Sequence, residues 1–259
     1  MIASLGRPDL IDYIIHRMQK QTVEPDILLF SSVSAEDLPE DFVQSDKVKA
    51  VFGKKGLTRQ RNAALDYLGD RYDIIIFYDD DYVPSSFSVE NAAKFFASHP
   101  EVVGATGYVL ADGINSAGIS MEEAERIVAD HDAHNDFPNV ILGEGSGLYG
   151  CNMAYRSSAI GSTRFDERLR LYGWQEDVDF AAALLPQGKI VWTPAFTGVH
   201  LGVKHGRTPG LRLGYSQVVN PLYLAAKGTM SIRFALNLVT RNILANHLKV
   251  FRPEPWVDR

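Results

Sequence analysis

The sequence predicts an α/β fold built on a mostly parallel central sheet, with flanking helices and a helical C-terminal tail. Three observations carry that prediction. Short apolar runs recur at "DILLF" (26–30), "VKAVF" (48–52), "DIIIFY" (73–78) and "VVGATGYVL" (102–110). Stretches with helical apolar spacing separate them, and three consecutive aspartates, Asp79, Asp80 and Asp81, follow directly on one of the runs. Unbroken apolar runs of this length suit strands buried on both faces, and strands that alternate with helices imply parallel pairing.

The opening "IASLGRPDLIDYIIHRMQKQ" gives a short strand, a Gly-Arg-Pro turn and a helix with Ile11, Ile14, Ile15 and Met18 on one face. The runs at 26–30 and 48–52 are predicted as buried strands. "TRQRNAALDYL" (58–68) is a helix between the second of these and the strand at 73–78. A further helix covers 85–100, followed by the strand at 102–110. Between 142 and 156, Gly143, Gly145, Gly147 and Gly150 suggest a flexible loop feeding a strand, without the strand-to-helix context of a phosphate-binding fingerprint. A turn and helix follow in "YGWQEDVDFAAALLPQG" (172–188), then a strand in "KIVWTP" (189–194). From about Leu213 the chain reads as mainly helical, with a break near Gly228.

The 259 residues suffice for one large domain, or two packed halves, with a substantial core. Apolar residues make up 46% and charged residues 22%, a globular balance that points away from disorder and from a membrane bundle. The single cysteine, Cys151, excludes an internal disulfide and a thiolate-rich zinc site. Neither a charged-then-apolar leader nor a run of about 18 uncharged apolar residues is present, so the expected location is cytoplasmic. The net charge of −6 argues against general nucleic-acid binding. That average hides a division. Ala181 to Pro253 contains nine Lys or Arg and no Asp or Glu, the last six residues carry −1, and residues 1–180 therefore carry −14.

Ligands of parallel sheets gather beyond the carboxyl ends of the strands, where Asp79 to Asp81 fall. Carboxylates this close raise one another's pKa unless a cation, hydrogen-bond donors or water attend them. Their hard oxygens suit Mg²⁺ or Mn²⁺ together with a phosphorylated ligand; a solvated Asp-rich turn that caps the next helix is the alternative. Glu176, Asp177 and Asp179 follow Gly173-Trp174. In a first helical turn each is favoured by about 0.3–1 kcal/mol, and a carboxylate beside Trp174 also suits a general base. Arg59 and Arg61 open a helix, where guanidinium groups and free N–H donors favour phosphate, unless the two are simply solvated. His200 and His205 follow a strand, and with aspartates at hand His200 is a candidate metal ligand.

In this order the motifs resemble the inverting, nucleotide-sugar-dependent glycosyltransferases of the large family two, which have the GT-A fold. The resemblance is carried by "IASLGRP", "GLTRQRNAAL", "FYDDDYVP", "GCNMAYRSSAI" and "RFDERLRLYGWQEDVDFAAALLPQG", and spans about residues 2 to 205. It implies a GT-A catalytic domain over 1–212, with a nucleotide-sugar half to about 110 and an acceptor half beyond it, and a basic helical extension over 213–259. It implies a divalent ion, Mn²⁺ or Mg²⁺, on Asp81, with His200 as second protein ligand. Asp79 and Asp80 would meet the ribose and diphosphate of the donor, with Ser4, Arg7, Arg59 and Arg61 around it. Asp177 would be the general base, and Glu176 and Trp174 would shape the sugar and acceptor pocket. The implied reaction moves one sugar from a nucleotide-diphospho-sugar, with UDP as the expected nucleotide, to a hydroxyl of a glycan or lipid-linked glycan, as in bacterial exopolysaccharide or lipopolysaccharide assembly.

The chain departs from the family pattern where Ser31 and Ser32 replace an Asp that contacts the base in many relatives. The Gln-x-x-Arg-Trp motif of processive synthases is missing, which favours single transfers. Two alternatives stay open. A sugar-phosphate nucleotidyltransferase would carry a Gly-rich, basic loop after its first strand, which "SLGRPD" matches poorly, and a catalytically silent sugar-nucleotide or carbohydrate-binding protein would use the acidic clusters only for structure. In the tail, Ile232, Leu236, Val239 and Ile243 recur at the spacing of a helix packed on the domain. Arg233, Arg241, Lys249 and Arg252, with no acidic residue among them, also suit peripheral contact with an anionic membrane or homo-oligomerisation.

Overall fold

The computed structural model describes residues 1–134, 136–169, 171–205 and 209–251. Arg207 and Arg252 of the basic C-terminal portion lie outside the described residues. Strands β1 (Ile2–Ala3), β2 (Leu28–Ser32), β3 (Val48–Phe52) and β4 (Ile74–Asp79) stand in the order β3-β2-β1-β4, all parallel. Helices α1 (Pro8–Met18) and α2 (Leu57–Leu68) provide crossovers between them. Proline at the first helical position starts α1, and its apolar spacing buries Leu10, Ile11, Ile14 and Met18. The chain moves outward from β1 through β2 to β3, then returns to β4 on the other side of β1. That reversal opens a crevice beyond the carboxyl ends of β1 and β4, where Ala3 pairs with Asp79.

The other half completes a nine-stranded sheet with β5 (Tyr82–Pro84), β6 (Val102–Asp112), β7 (Gly143–Glu144), β8 (Asn152–Arg156) and β9 (Lys189–His200). Strand β8 runs antiparallel between β4 and β6, β9 is parallel to β6, and β5 and β7 are antiparallel to β9. Among the described residues, six of the nine strands therefore point the same way. Helices α3 (Ser88–Ser98), α4 (Met121–His134), α5 (Ser157–Ile160) and α6 (Glu176–Leu184) cover the faces. Between β4, β8 and α6 the core is aromatic: Phe165 stacks on Phe180 at 4.0 Å, and both meet Phe77 edge-on.

Two departures from the sequence expectations bear on the site. The strand expected at 189–194 runs on to His200. Between the pairs Gly107–Thr193 and Tyr108–Thr197 the register shifts, so Pro194 falls in an irregularity where its missing N–H breaks no ladder bond. The strand beyond it then pairs His200 with both Asp112 and Tyr82. The run at 48–52 is a strand but only half-buried, because β3 is the edge of the sheet.

The C-terminal segment folds as α7 (Gly210–Lys227) and α8 (Ile232–Phe251), which pack on one another. Helix α7 is fixed to the rest of the chain. Lys227 Nζ lies 2.9 Å from Asp166 and 2.6 Å from Asp179, and Tyr223 donates to Asp166 at 2.7 Å. Leu224, Met230 and Ala235 close over Leu169. Asp179, one of the three acids after Trp174, thus anchors a helix.

Candidate active site

At the crevice the three aspartates have three different surroundings. Asp80 points inward, accepting 2.7 Å hydrogen bonds from Ser4 Oγ and Arg7 Nη1. Burial pushes its pKa up to about 6 against the pull of Arg7. Arg7 also donates to the His205 carbonyl at 2.7 Å, tying β1 to the chain after β9. Ser4, Arg7 and Asp80, the residues expected around the donor, are brought together and hydrogen-bond one another. Ser31 and Ser32 are fully buried; Ser31 donates to the Gln60 carbonyl, and Gln60 in turn donates to the carbonyls of Ser4 and Ser31.

Asp79 and Asp81 meet at a different place. Together with His200 they form a group whose ligand atoms lie within 4.8 Å of one another. Asp81 accepts the Val203 N–H at 2.8 Å, and its other oxygen lies 3.4 Å from His200 Nε2. The opposite ring nitrogen, Nδ1, donates to Asp112 at 2.9 Å, and Tyr149 donates to the second Asp112 oxygen at 2.7 Å. The carboxylate of Asp112 therefore fixes the imidazole with Nε2 facing the aspartates. Burial alone would lower the His200 pKa, but the hydrogen bonds to Asp112 and Asp81 raise it to about 10. Burial likewise raises Asp79, whereas at Asp81 the same effect is outweighed by the His200 contact, which holds it below the usual carboxylate value.

Two carboxylates and one imidazole this close together could hold a divalent ion. Asp79 joins this group, where the resemblance gave it to the nucleotide. Backbone packing sets the geometry: Gly202 has φ +65°, and a Cβ there would lie 2.3 Å from the Gly113 carbonyl carbon, so the chain after His200 and the chain after Asp112 cross in contact. Asp112 and Tyr149 escaped the sequence reading. Asp112 stands 88 residues from His200, and only the paired register of β6 and β9 joins them. Asp112→Asn is expected to weaken Mn²⁺ binding about 10–100-fold by calorimetry, with little change in melting temperature. Unchanged affinity would reduce Asp112 to a structural partner.

The second acidic cluster is joined to the first by Arg61. This guanidinium, 2% exposed, lies 2.8 Å from Glu176, 3.1 Å from Asp79 and 3.1 Å from the Gly150 carbonyl, over the Phe165 ring. Expected near a phosphate, it is paired here with carboxylates and a carbonyl. Arg59, 45% exposed, faces Glu167 at 3.5 Å, beside a cleft of about 310 Å³ that also borders Lys55 and Leu171. Asp177 accepts the Gly150 N–H at 2.9 Å on one oxygen and the Val178 N–H at 2.8 Å on the other. Burial raises the pKa values of both Asp177 and Glu176. At Gly150 the backbone passes close to the second cluster: a Cβ there would stand 3.1 Å from the Asp177 carboxylate, which would have to give by a few tenths of an ångström. Trp174 is half-buried in the turn before α6, its carbonyl held by Asn220 of α7 at 3.1 Å.

No protein-family model and no curated protein matches the chain. Solved structures do. S. aureus TarS 1–349 has a TM-score of 0.54 at 11% identity over 93% of this chain and 69% of that one. The same TarS region in complex with UDP has the same score and identity over 94% and 69%. The mannosyltransferase PcManGT from Pyrobaculum calidifontis, in complex with GDP-Man and Mn²⁺, has a TM-score of 0.54 at 14% identity over 98% and 80%. At these identities the likeness concerns architecture: the chain has the mixed α/β GT-A fold, with its mostly parallel sheet and flanking helices.

Proposed function

We propose that the protein is an inverting glycosyltransferase that moves one sugar from a nucleotide-diphospho-sugar to an acceptor hydroxyl. The observation that carries this reading is the set of Asp79, Asp81 and His200 at the reversal point of a GT-A sheet, joined through Arg61 to Glu176, the neighbour of Asp177. Asp79, Asp81 and His200 would hold the divalent ion. When bound, that ion supplies Lewis-acid stabilisation of the negative charge on the departing diphosphate. A diphosphate departs without a proton, so no protonated acid is needed of the kind a glycosidase uses.

Asp177 takes the proton of the acceptor hydroxyl as that oxygen attacks the anomeric carbon from the face opposite the diphosphate. Inversion at that carbon follows. Both Asp177 oxygens are held by backbone N–H groups, which fixes the plane of the carboxylate, and burial raises its basicity. Glu176 and Trp174 flank this base on the acceptor side, and Arg61 balances the accumulated carboxylate charge between the two clusters. UDP is the proposed nucleotide, and the TarS structure in complex with UDP supports testing it first. A glycan or lipid-linked glycan is the proposed acceptor.

Calorimetric titration of UDP, GDP and dTDP, with and without Mn²⁺, tests the reading. The expected result is metal-dependent binding of one of the three that disappears in Asp81→Ala. Absence of binding for all three under both conditions would remove the donor site and leave the acidic clusters a structural role.

A further inference from the structure

Helix α8 touches α7 along one side, and Ala235 is its fully buried residue. On its remaining sides apolar residues face outward: Ile232 is 57% exposed, Leu236 51%, Leu244 57%, Leu248 70% and Phe251 84%. Large apolar side chains exposed in this number, between polar and basic ones, mark a surface that meets another phase or molecule. Its charges are all of one sign. Arg233 and Arg241 are exposed, Lys249 lies on the same helix, and Arg212 is exposed near the start of α7 beside Leu211, which is 84% exposed. Among the described residues no helix is long and apolar enough to cross a membrane.

We infer that α8, with the first turn of α7, rests on an anionic lipid bilayer. The apolar side chains enter the boundary between headgroups and acyl chains, and Arg212, Arg233 and Arg241 face the lipid phosphates. Charge selects the bilayer over a second copy of the chain. A two-fold contact sets a patch against itself, which would lay one basic hairpin face on another with no carboxylate on α7 or α8 to offset the charge. An anionic surface supplies that countercharge. It also repels the −14 of residues 1–180, so the hairpin face is the one that meets the bilayer. Helix α7 keeps the hairpin in place, because its Lys227 is held by Asp166 and Asp179. This surface is independent of the sugar-transfer reading.

Flotation of the full chain with phosphatidylcholine vesicles, with and without about one third phosphatidylglycerol, tests the inference. Binding is expected only with the anionic lipid, and weaker as salt rises. The double variant Arg233→Glu, Arg241→Glu should bind at least about tenfold more weakly. Leu244→Ser with Leu248→Ser, both in exposed positions, should lose binding while melting at the wild-type temperature. Failure to bind anionic vesicles at low salt would overturn the inference, as would equal binding to neutral ones. So would a stable dimer in light scattering that the leucine variant dissociates while vesicle binding is absent.

Discussion

Asp177→Asn is expected to lower sugar turnover by about 10²–10⁴-fold while metal-dependent nucleotide binding persists. The amide has the size of the carboxylate but cannot take a proton from an attacking hydroxyl. It also accepts at one atom only, so either the Gly150 or the Val178 N–H now faces an NH₂ group, and a modest fall in melting temperature accompanies the loss of rate. The pH profile separates chemistry from packing. Burial raises the Asp177 pKa in the folded protein, and the base works only when ionised. In the wild type kcat/KM should therefore rise with pH through an acid limb above the ordinary carboxylate range, and that limb should be missing from the residual activity of the variant. Wild-type turnover in Asp177→Asn would exclude the residue as base. An equal loss of turnover and nucleotide affinity would show that it shapes the donor site instead.

How far such roles can be read from sequence depends on whether a residue's neighbours are local. Asp79 to Asp81 stand out because three carboxylates against an apolar run make sense only at a strand end facing a ligand or water. The strands themselves are legible because burial on both faces demands continuous apolar residues. Composition and spacing do not distinguish Asp80 from Asp81, and in the sequence only the resemblance gave them different roles. What separates them in space is the turn between β4 and β5, which sends Asp80 towards Ser4 and Arg7 and Asp81 towards His200. The length of β9 was hidden by Pro194, a residue that ordinarily ends a strand and here lies in a register shift. Arg61 was legible as a cation near the crevice, but not in its partner. A guanidinium fork fits a phosphate and a carboxylate equally, and choosing between them requires knowing that α6 brings Glu176 within 2.8 Å.

That partner choice makes Arg61 the residue whose removal should cost most in stability. Arg61→Met keeps the apolar stem over Phe165 and deletes the charge, leaving Asp79, Glu176 and Asp177 crowded in a buried site without their cation. Breaking a buried ion pair on one side costs about 3–5 kcal/mol, against about 0–1 kcal/mol for an exposed one. The sign of the pH dependence follows from the carboxylates. Their folded-state pKa values lie above the unfolded ones because burial outweighs Arg61, so protonation favours the folded state and ionisation opposes it as pH rises through those values. Without Arg61 that opposition grows. Urea unfolding should show a larger deficit relative to wild type at about pH 8 than at about pH 5, where the carboxyls take up protons. Mn²⁺ should restore part of the deficit through Asp79, but not the part owed to Glu176, which lies outside the metal group. A deficit under about 1 kcal/mol at both pH values would mean that water reaches these carboxylates and that Arg61 is not what holds the two clusters together.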